Sequence, residues 1–341
     1  MSAEPTLTPL TWRLLRLLSH VDVRSARELA GAIGASRDSV RQALSGVEAA
    51  GLELIRLRGG GYRLAQEIDW LDARCVRRHL GAHARCFDVR VVDMVDSTST
   101  ALMARASAGA CDGAVLAAEF QTQGRGRRGR AWYGGIGGAL TFSLLWRFEQ
   151  GAGVLAGLGP AVGVALVRAL RDLGAAQAML KWPNDVLVGY RKLAGTLVEI
   201  HGDVLGPSLV VIGIGMNCRL DSVTRQHINQ AVIDLRTSGV SVDRSRILAT
   251  ALVHLAEVQQ VFAQHGFAPL RREWERYHVY SHRPVTLRLP DGSNQDGTVA
   301  GVDDDGCLLL QTSSGQRRFH SADVSLRIAA SSSPLLAVDR G

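Results

Sequence analysis

The residues from Arg125 to Arg130 cannot lie inside a folded core. The run reads Arg-Gly-Arg-Arg-Gly-Arg, and apolar segments typical of strands flank it. Because guanidinium groups are not buried without partners, we expect a solvent-facing loop. Arginine forks match phosphate and carboxylate oxygens, and glycine lets backbone N–H groups approach an anion closely. The loop therefore predicts a site that closes over an anion, although RNA-binding tails and plain solvated loops share this composition.

A second segment predicts a cation at the end of a strand. Lys-Trp-Pro-Asn-Asp at 181–185 follows an apolar run, and Pro183 cannot continue a central strand. Lys181 is therefore expected just before a turn, with the chain returning as a hairpin strand at 197–200.

A third segment, residues 210–217, is an apolar strand that contains Gly213 and Gly215. Glycines there fit either a ligand that approaches the backbone or tight packing of strands. With Asp-Ser-Thr at 96–98 and Glu-Phe-Gln at 119–121, these segments, in this order, resemble the biotin protein ligases. An extra N-terminal module makes the chain similar to the bifunctional members, which also repress the biotin operon. The similarity covers nearly the whole chain.

The composition is that of a soluble globular protein. The chain has 341 residues, of which 46% are hydrophobic and 21% charged, and this predicts two or three domains. No apolar stretch reaches the ~18 residues that span a membrane, and no signal sequence is visible, so we expect a cytoplasmic protein without a membrane partner. Five scattered cysteines argue against a disulfide framework or a zinc site. The net charge of +7 suits either nucleic acid or a nucleotide.

Residues 1–65 have the pattern of a winged helix-turn-helix DNA-binding domain. Apolar residues at helical spacing predict three helices, the second capped by Ser25 and the third running from Ser36 to Gly51. A glycine-centred hairpin, the wing, follows. Arginine and glutamine read base edges, so the predicted DNA-binding residues are Arg37, Ser39, Arg41 and Gln42 of the third helix and Arg58 and Arg63 of the wing. A protein-interaction module with a solvated polar face is the alternative.

The rest of the chain predicts an α+β architecture. Residues 66–87 are expected to form a linker helix, with the helix itself over 66–82. Alternating strands and helices at 88–280 predict a mixed β-sheet with helices on one side, which the resemblance implies is a class II synthetase-like biotin ligase domain. Short strands and turn dipeptides at 281–328 predict an SH3-like β-barrel, and the Ser- and Pro-containing residues 329–341 predict a disordered tail.

The resemblance implies ATP and biotin as substrates, Mg²⁺ as cofactor and a lysine of a biotin carboxyl carrier protein as acceptor. Formation of an acyl-adenylate brings a carboxylate to the α-phosphate, so the site needs fixed cations. Lys181 would bridge the two anions, and Arg125 and Arg127 would contact the acyl-phosphate; these three are the predicted catalytic residues. No covalent intermediate with the protein is needed.

The resemblance also supplies the binding residues. Those expected at biotin are Ser97, Thr98, Ser99, Gln121, Arg125, Gly126, Arg127, Lys181, Gly213 and Gly215. Those expected at ATP or the adenylate are Arg128, Arg130, Trp132, Asn184, Lys192 and Asn217. Asp185 would hold Mg²⁺ or serve as a turn residue, Ser97 also fits a helix cap, and Trp132 also fits simple packing.

Three positions depart from the family pattern. Ser99 stands where Asn is usual, residues 133–137 replace a Ser-Pro-containing stretch, and Val232 stands where a bifunctional member has a Trp over the adenine. We expect a more flexible loop, a different cap and weaker retention of the adenylate. We also expect the Arg/Gly loop to have nothing to pack on until an anion binds, and to be mobile when empty.

Two other functions share much of this pattern: a ligand-sensing regulator without ligase activity, and a lipoate-type carboxylate ligase. The complete cation motifs favour an enzyme, and the N-terminal module and C-terminal strands favour biotin. The resemblance further implies operator DNA as a partner, bound by a homodimer that forms when the adenylate is present.

Overall fold

A computed structural model describes residues 7–58, 60–289 and 291–320, and the backbone of 325–328. The helices in these ranges are α1 Pro9–Leu15, α2 Ala26–Ile33, α3 Arg37–Ser45, α4 Ala73–Leu80, α5 Thr98–Ser107, α6 Leu158–Asp172, α7 Ser222–His227, α8 Arg244–His265 and α9 Arg271–Tyr277. The strands are β1 Arg24–Ser25, β2 Leu54–Leu57, β3 Gly61–Leu64, β4 Asp88–Val95, β5 Ala114–Gln121, β6 Ala139–Phe148, β7 Met179–Lys181, β8 Asp185–Val188, β9 Arg191–Gly202, β10 Ser208–Asn217, β11 Pro284–Arg288, β12 Asn294–Val302, β13 Leu308–Thr312, β14 Gly315–Phe319 and β15 Ser325–Ile328. None of the described helices combines the length and the apolar character that a membrane crossing needs.

Residues 7–64, the N-terminal unit, pack three helices against a sheet of order β1-β3-β2. Each helix contributes a fully buried leucine to the core: Leu14, Leu29 and Leu44. Ser25 and Ser36 cap α2 and α3 through their side chains, as predicted. The third helix ends at Ser45 rather than at Gly51, because a separate 3₁₀ turn follows and Gly51 closes that turn with a left-handed φ of 76°.

The linker is not helical from residue 66, so this part of the prediction was wrong. Helix α4 begins at Ala73, where the Asp72 side chain accepts hydrogen bonds from the first free amides of the helix. Before it, Ile68 packs into the core of the N-terminal unit and Leu71 into the core of the central sheet. Residues three apart are neighbours on a helix, whereas here the non-helical segment sends these two side chains into different cores.

The central sheet has seven strands in the order β4-β5-β6-β10-β9-β8-β7. Only β4 and β5 are parallel neighbours among the described strands, so the sheet is mixed, as predicted. The prediction that helices lie on one side was wrong. Leu144 and Leu145 are neighbours in β6, yet Leu144 joins the core with α6 and α8 while Leu145 packs with Leu102 of α5 on the opposite face. Successive strand residues point to opposite faces, so β6 is covered by helices on both faces.

A buried ion pair joins the linker, the sheet and α8. Arg244 Nη2 lies 2.5 Å from Glu119 Oε2, and both side chains are almost fully buried. The Leu71 amide donates to Glu119 Oε1 at 2.7 Å, and the Arg244 amide donates to the Asp69 carboxylate at 2.6 Å. Burial raises the pKa of Glu119, and the Arg244 guanidinium opposes that rise.

The C-terminal strands form a five-stranded antiparallel sheet of order β14-β13-β12-β11-β15. The small all-β unit agrees with the sequence analysis, and its closure into an SH3-like barrel stays a prediction. The tail predicted at 329–341 lies outside the described residues.

Candidate active site

A cavity of about 660 Å³ opens beside the Arg loop, which we define as residues 124–132, and runs along the β7–β8 hairpin and strand β10. Every residue assigned above to biotin, to ATP or the adenylate, or to Mg²⁺ lines this cavity. Segments far apart in the chain therefore meet at one place. Which ligand atoms each residue contacts stays a prediction.

At one end of the cavity, small polar groups are hydrogen-bonded to one another. Thr98 Oγ1 and Ser99 Oγ each share a hydrogen bond with Ser143 Oγ, at 2.8 and 3.0 Å. The Thr98 amide donates to Gln121 Oε1 at 2.7 Å, and the Ser97 hydroxyl caps α5. Ser97 therefore does have the capping role that the sequence analysis left open, while it also lines the cavity. The set offers hydroxyl and amide groups to a neutral polar ligand.

At both glycines of β10, neighbouring side chains leave no room for a Cβ atom. A Cβ at Gly213 would lie 2.6 Å from Ser99 Oγ, and one at Gly215 would lie 2.3 Å from the Trp132 ring. Real Cβ contacts are not that short, so any larger residue would push Ser99 or Trp132 out of place. Trp132 thus packs on the strand and lines the cavity at the same time.

The Arg loop forms a tight hairpin. The Gly126 amide donates to the Arg130 carbonyl at 2.7 Å, and the Trp132 amide donates to the Gly124 carbonyl at 2.8 Å. Arg128, at the tip, has a left-handed φ of 59°. Its side chain and that of Arg130 are exposed toward the cavity mouth.

Two arginines of the loop already have protein partners. Arg125 Nη2 lies 3.3 Å from Glu199 Oε1, and Arg127 Nη1 donates to Asn184 Oδ1 at 3.3 Å. The expectation that the loop has nothing to contact without an anion was therefore wrong, because β9 and the β7–β8 hairpin supply an acceptor each. Whether the loop is mobile when empty stays a prediction.

Lys181 ends β7 and pairs across the turn with Asp185. Next to it, Trp182 is buried, and its indole N–H donates at 3.1 Å to the carbonyl of Gly306, which lies in the turn between β12 and β13. The hairpin that carries Lys181 is therefore fixed from both the central and the C-terminal sheets.

Asp185 is the first residue of β8, a short strand that the sequence analysis did not predict, and is not a turn residue. Its Oδ1 lies 2.8 Å from Lys192 Nζ, and both side chains are mostly buried. Among the described residues no group of three or more acidic, histidine or cysteine side chains is placed to hold a metal ion. One carboxylate already paired with a lysine does not fit a site at which the protein itself holds Mg²⁺.

The other end of the cavity contains an unsatisfied acceptor. Asn217 is 2% exposed, and its amide nitrogen donates to the Lys192 and Ile233 carbonyls at 3.2 and 3.1 Å. Its Oδ1 is buried and has no hydrogen-bond partner among the described residues. Buried acceptors are nearly always satisfied, so Asn217 Oδ1 can accept a hydrogen bond from a donor group in the cavity.

The segment 133–137 is not loose, contrary to expectation. Ile136 is 1% exposed within the core of the N-terminal unit, and its amide donates to the Ala50 carbonyl at 3.1 Å. The sequence analysis also missed Ser143 and Glu199. A lone serine within the apolar run of β6 was a usable signal for Ser143, whereas nothing local marks Glu199 as the partner of Arg125.

The predicted DNA-binding residues lie outside this cavity. Arg37, Arg41 and Gln42 are exposed on α3, and Ser39 is half-buried. Arg41 forms an exposed ion pair with Asp38 at 2.9 Å. On the β2–β3 hairpin, Arg58 is exposed and Arg63 donates to the His20 carbonyl at 3.1 Å.

Comparison with known proteins gives consistent results. Residues 91–217 match the model of the biotin/lipoate A/B protein ligase family, and residues 280–327 match that of the biotin protein ligase C-terminal domain. The chain is 33% identical over 317 residues to the bifunctional ligase/repressor BirA of Escherichia coli K12, covering 93% of this chain and 97% of that protein. It is also 33% identical to the biotin–[acetyl-CoA-carboxylase] ligase of Mycobacterium tuberculosis, covering 70% of this chain and 90% of that one. The solved structure of the Aquifex aeolicus biotin protein ligase with biotin and ATP aligns with a TM-score of 0.62 at 27% identity, over 71% of this chain and 99% of that one.

Proposed function

This chain belongs to the biotin protein ligase family, and we propose that it attaches biotin to a lysine of a carboxyl carrier protein in two steps at the cavity described above. First, a carboxylate oxygen of biotin attacks the α-phosphorus of ATP, and pyrophosphate leaves. Second, the carrier lysine attacks the acyl carbon, an amide bond forms, and AMP leaves. The observation that carries the proposal is the meeting, in one cavity, of a neutral polar slot with the Lys181 and Arg-loop cations.

In this proposal the ureido ring of biotin lies against the hydrogen-bonded polar groups around Thr98 and Ser99. Ser97, Thr98, Ser99 and Gln121 offer hydroxyl and amide groups that match a ring with both donors and acceptors. Gly213 leaves room for the ligand against the strand. The aliphatic tail then leads the carboxylate toward the cations.

The cations stabilise the negative charge that builds when two anions combine. Lys181 sits on the rigid hairpin, so its ammonium is positioned before the substrates arrive. Arg125 now pairs with the Glu199 carboxylate, and Arg127 donates to the neutral Asn184 side chain. The incoming carboxylate and phosphate would compete with Glu199 for Arg125 and would give Arg127 a stronger, charge-assisted partner.

The nucleotide then lies at the other end. In this proposal, Asn217 Oδ1 accepts from the amino group of adenine. Trp132 and Lys192 line the same cavity, and Arg128 and Arg130 of the Arg loop would contact the phosphates. Mg²⁺ would arrive with the ATP phosphates, because Asp185 is already paired with Lys192.

The test of the ligase proposal is transfer of labelled biotin to a carboxyl carrier protein with ATP. Lys181→Ala should retain biotin binding but lose about 10²–10³ in the rate of biotin-dependent pyrophosphate exchange, because one preorganised donor to the transition state is gone. Arg191→Ala removes an exposed cation from the same region and is the matched control. No transfer by the wild type would overturn the function, and near wild-type exchange by Lys181→Ala would overturn the role of this lysine.

We further propose that the N-terminal unit binds operator DNA as half of a dimer that forms with the adenylate bound. One short helix specifies too little sequence alone, so two copies on a pseudo-palindrome are the usual solution. Gln42→Ala should weaken operator binding about tenfold or more, as expected for loss of a base contact, and leave carrier labelling intact. Arg27→Ala, at an exposed arginine on α2, is the control. Full-length protein with only non-specific DNA affinity, with or without biotin and ATP, would refute the repressor role alone.

A further inference from the structure

A second cavity, of about 680 Å³, lies between helix α9 and strand β12 of the C-terminal sheet. It shares no lining residue with the cavity of the candidate active site, and the proposed ligase function makes no use of it. The residues that give it its chemistry are Arg272, Glu275 and Arg276 of α9, His282 before β11, and Gly301 of β12.

Two arginines supply positive charge to the second cavity. Arg272 and Arg276 are four residues apart on α9, so their side chains leave the same side of the helix. Both are exposed, and neither side chain forms a hydrogen bond or an ion pair within the described part of the chain. The neighbouring Arg271, by contrast, pairs with the Asp304 carboxylate at 2.9 Å. The two guanidinium groups at the second cavity can therefore contact an anion without giving up a protein partner.

The acidic side chain in the wall of the second cavity is held against the backbone. Glu275 Oε1 accepts a hydrogen bond from the Val302 amide at 3.2 Å. Gly301 allows this contact, because a Cβ atom there would overlap with the same carboxylate oxygen. Two guanidinium groups against one carboxylate leave the lining of the second cavity positive.

The backbone of His282 distinguishes the second cavity from an ordinary basic surface. Its φ of 57° is left-handed, a conformation that is rare and strained for residues other than glycine. Within the described residues only two other non-glycine positions, Arg128 and Tyr190, have a positive φ, and both line the cavity of the candidate active site. Strained residues of this kind cluster where ligands bind. The position of His282 therefore indicates that the second cavity is also a binding site.

We propose that the second cavity binds a small anion that carries phosphate or carboxylate groups. Arg272 and Arg276 would contact the anionic oxygens, because guanidinium forks match the geometry of both groups, and His282 would line the other side. The volume lies within the range of roughly 300–1,000 Å³ that is common for small-molecule sites. The proposal goes beyond the proposed ligase function and does not depend on it.

The test measures anion binding to the full-length protein at low salt by equilibrium dialysis. Inorganic pyrophosphate is the phosphate probe and citrate the carboxylate probe, and at least one should bind with a Kd of about 1 mM or tighter. Arg272→Gln combined with Arg276→Gln should weaken this binding tenfold or more, because two charge-assisted contacts are lost. Arg271→Gln, which removes a charge from the same helix but not from the second cavity, should bind as wild type does.

Two further variants separate the second cavity from the candidate active site. Arg128→Gln combined with Arg130→Gln removes cations from the candidate active site only and should leave binding at the second cavity unchanged. His282→Gly removes the imidazole and relieves the left-handed φ, so it should weaken binding without lowering the midpoint of urea unfolding. It also keeps the test open if the Arg272 and Arg276 double variant does not fold.

Three results would overturn the proposal. The first is that neither probe binds the wild type. The second is that the probes bind the folded Arg272 and Arg276 double variant, or His282→Gly, as tightly as the wild type. The third is that all binding is lost in the Arg128 and Arg130 double variant, which would place the anion in the candidate active site. Labelling of a carrier protein does not enter this test, so the ligase function and the anion site can fail separately.

Discussion

Acid should destabilise this protein through one buried histidine. His278 stacks on Trp274 with ring centroids 4.6 Å apart and meets Tyr280 edge-on at 6.1 Å. Neither of its ring nitrogens has a hydrogen-bond partner among the described residues, and burial lowers the pKa of His278 to about 3. The next residue, Val279, donates its amide to the Leu180 carbonyl at 2.8 Å, so the histidine lies beside the strand that carries Lys181.

The sign and size of the effect follow from proton linkage. In the unfolded chain the imidazole of His278 has its ordinary pKa of 6.5, whereas in the folded protein it protonates only near pH 3. Between these values the unfolded state binds a proton that the folded state does not, so this contribution to stability is complete above about pH 6.5 and is lost as the pH falls. At about 1.36 kcal/mol per pH unit, lowering the pH from 6.5 to 5 removes about 2 kcal/mol from the free energy of unfolding.

The assay is urea unfolding at pH 7 and at pH 5, followed by tryptophan fluorescence. His278→Phe keeps an aromatic ring against Trp274 but cannot titrate, so it should lose about 2 kcal/mol less than wild type between the two pH values. His278→Gln serves the same purpose if phenylalanine does not fit, and His265→Ala should retain the full acid loss. Equal losses in the wild type and both His278 variants would refute the reasoning.

Two further substitutions test the packing around the site. Gly215→Ala places a methyl group against the Trp132 ring and should weaken nucleotide and biotin binding at least tenfold in equilibrium dialysis. The control is Gly159→Ala, whose added methyl group meets no atom within 4 Å and should leave both affinities unchanged. Equal affinities of the two variants would refute the close approach of Trp132 to Gly215. Arg244→Met leaves the Glu119 carboxylate buried without its cation and should lower the free energy of unfolding by about 3–5 kcal/mol, measured by thermal or urea unfolding. Much of this loss should be regained when Glu119→Gln is added. An unchanged stability of Arg244→Met would contradict the ion-pair argument.

The cavity was predictable because its residues come from short, locally distinctive segments. Lys181 precedes a proline that must end a strand, the arginines of the loop cannot be buried, and the glycines of β10 interrupt an apolar run. Each feature can be recognised from a few neighbouring residues. Their meeting in one cavity was inferred from resemblance, since no local pattern states which strands are neighbours.

The failures concern contacts between distant segments. In β6, apolar residues alternate with Thr141, Ser143 and Arg147, which is the pattern of a sheet covered on one side only. The packing of Leu145 against α5 on the second face is seen only in the folded chain. Glu199 lies in a strand of ordinary composition, and only the fold brings it to Arg125. The extended linker was mistaken for a helix because the separate cores that Ile68 and Leu71 enter exist only in the folded chain.

The glycines after the Arg loop show most clearly how composition can mislead. A run with Gly134, Gly135 and Gly137 predicts flexibility when it is considered alone. In the folded protein, a Cβ at Gly51 of the N-terminal unit would lie 2.8 Å from the Gly135 Cα, so these two backbones meet without side chains between them. Ile136 is held in the N-terminal core at the same point. The missing side chains therefore allow close packing of two units beside the cavity, and the segment next to the Arg loop is fixed by the N-terminal unit because it is rich in glycine.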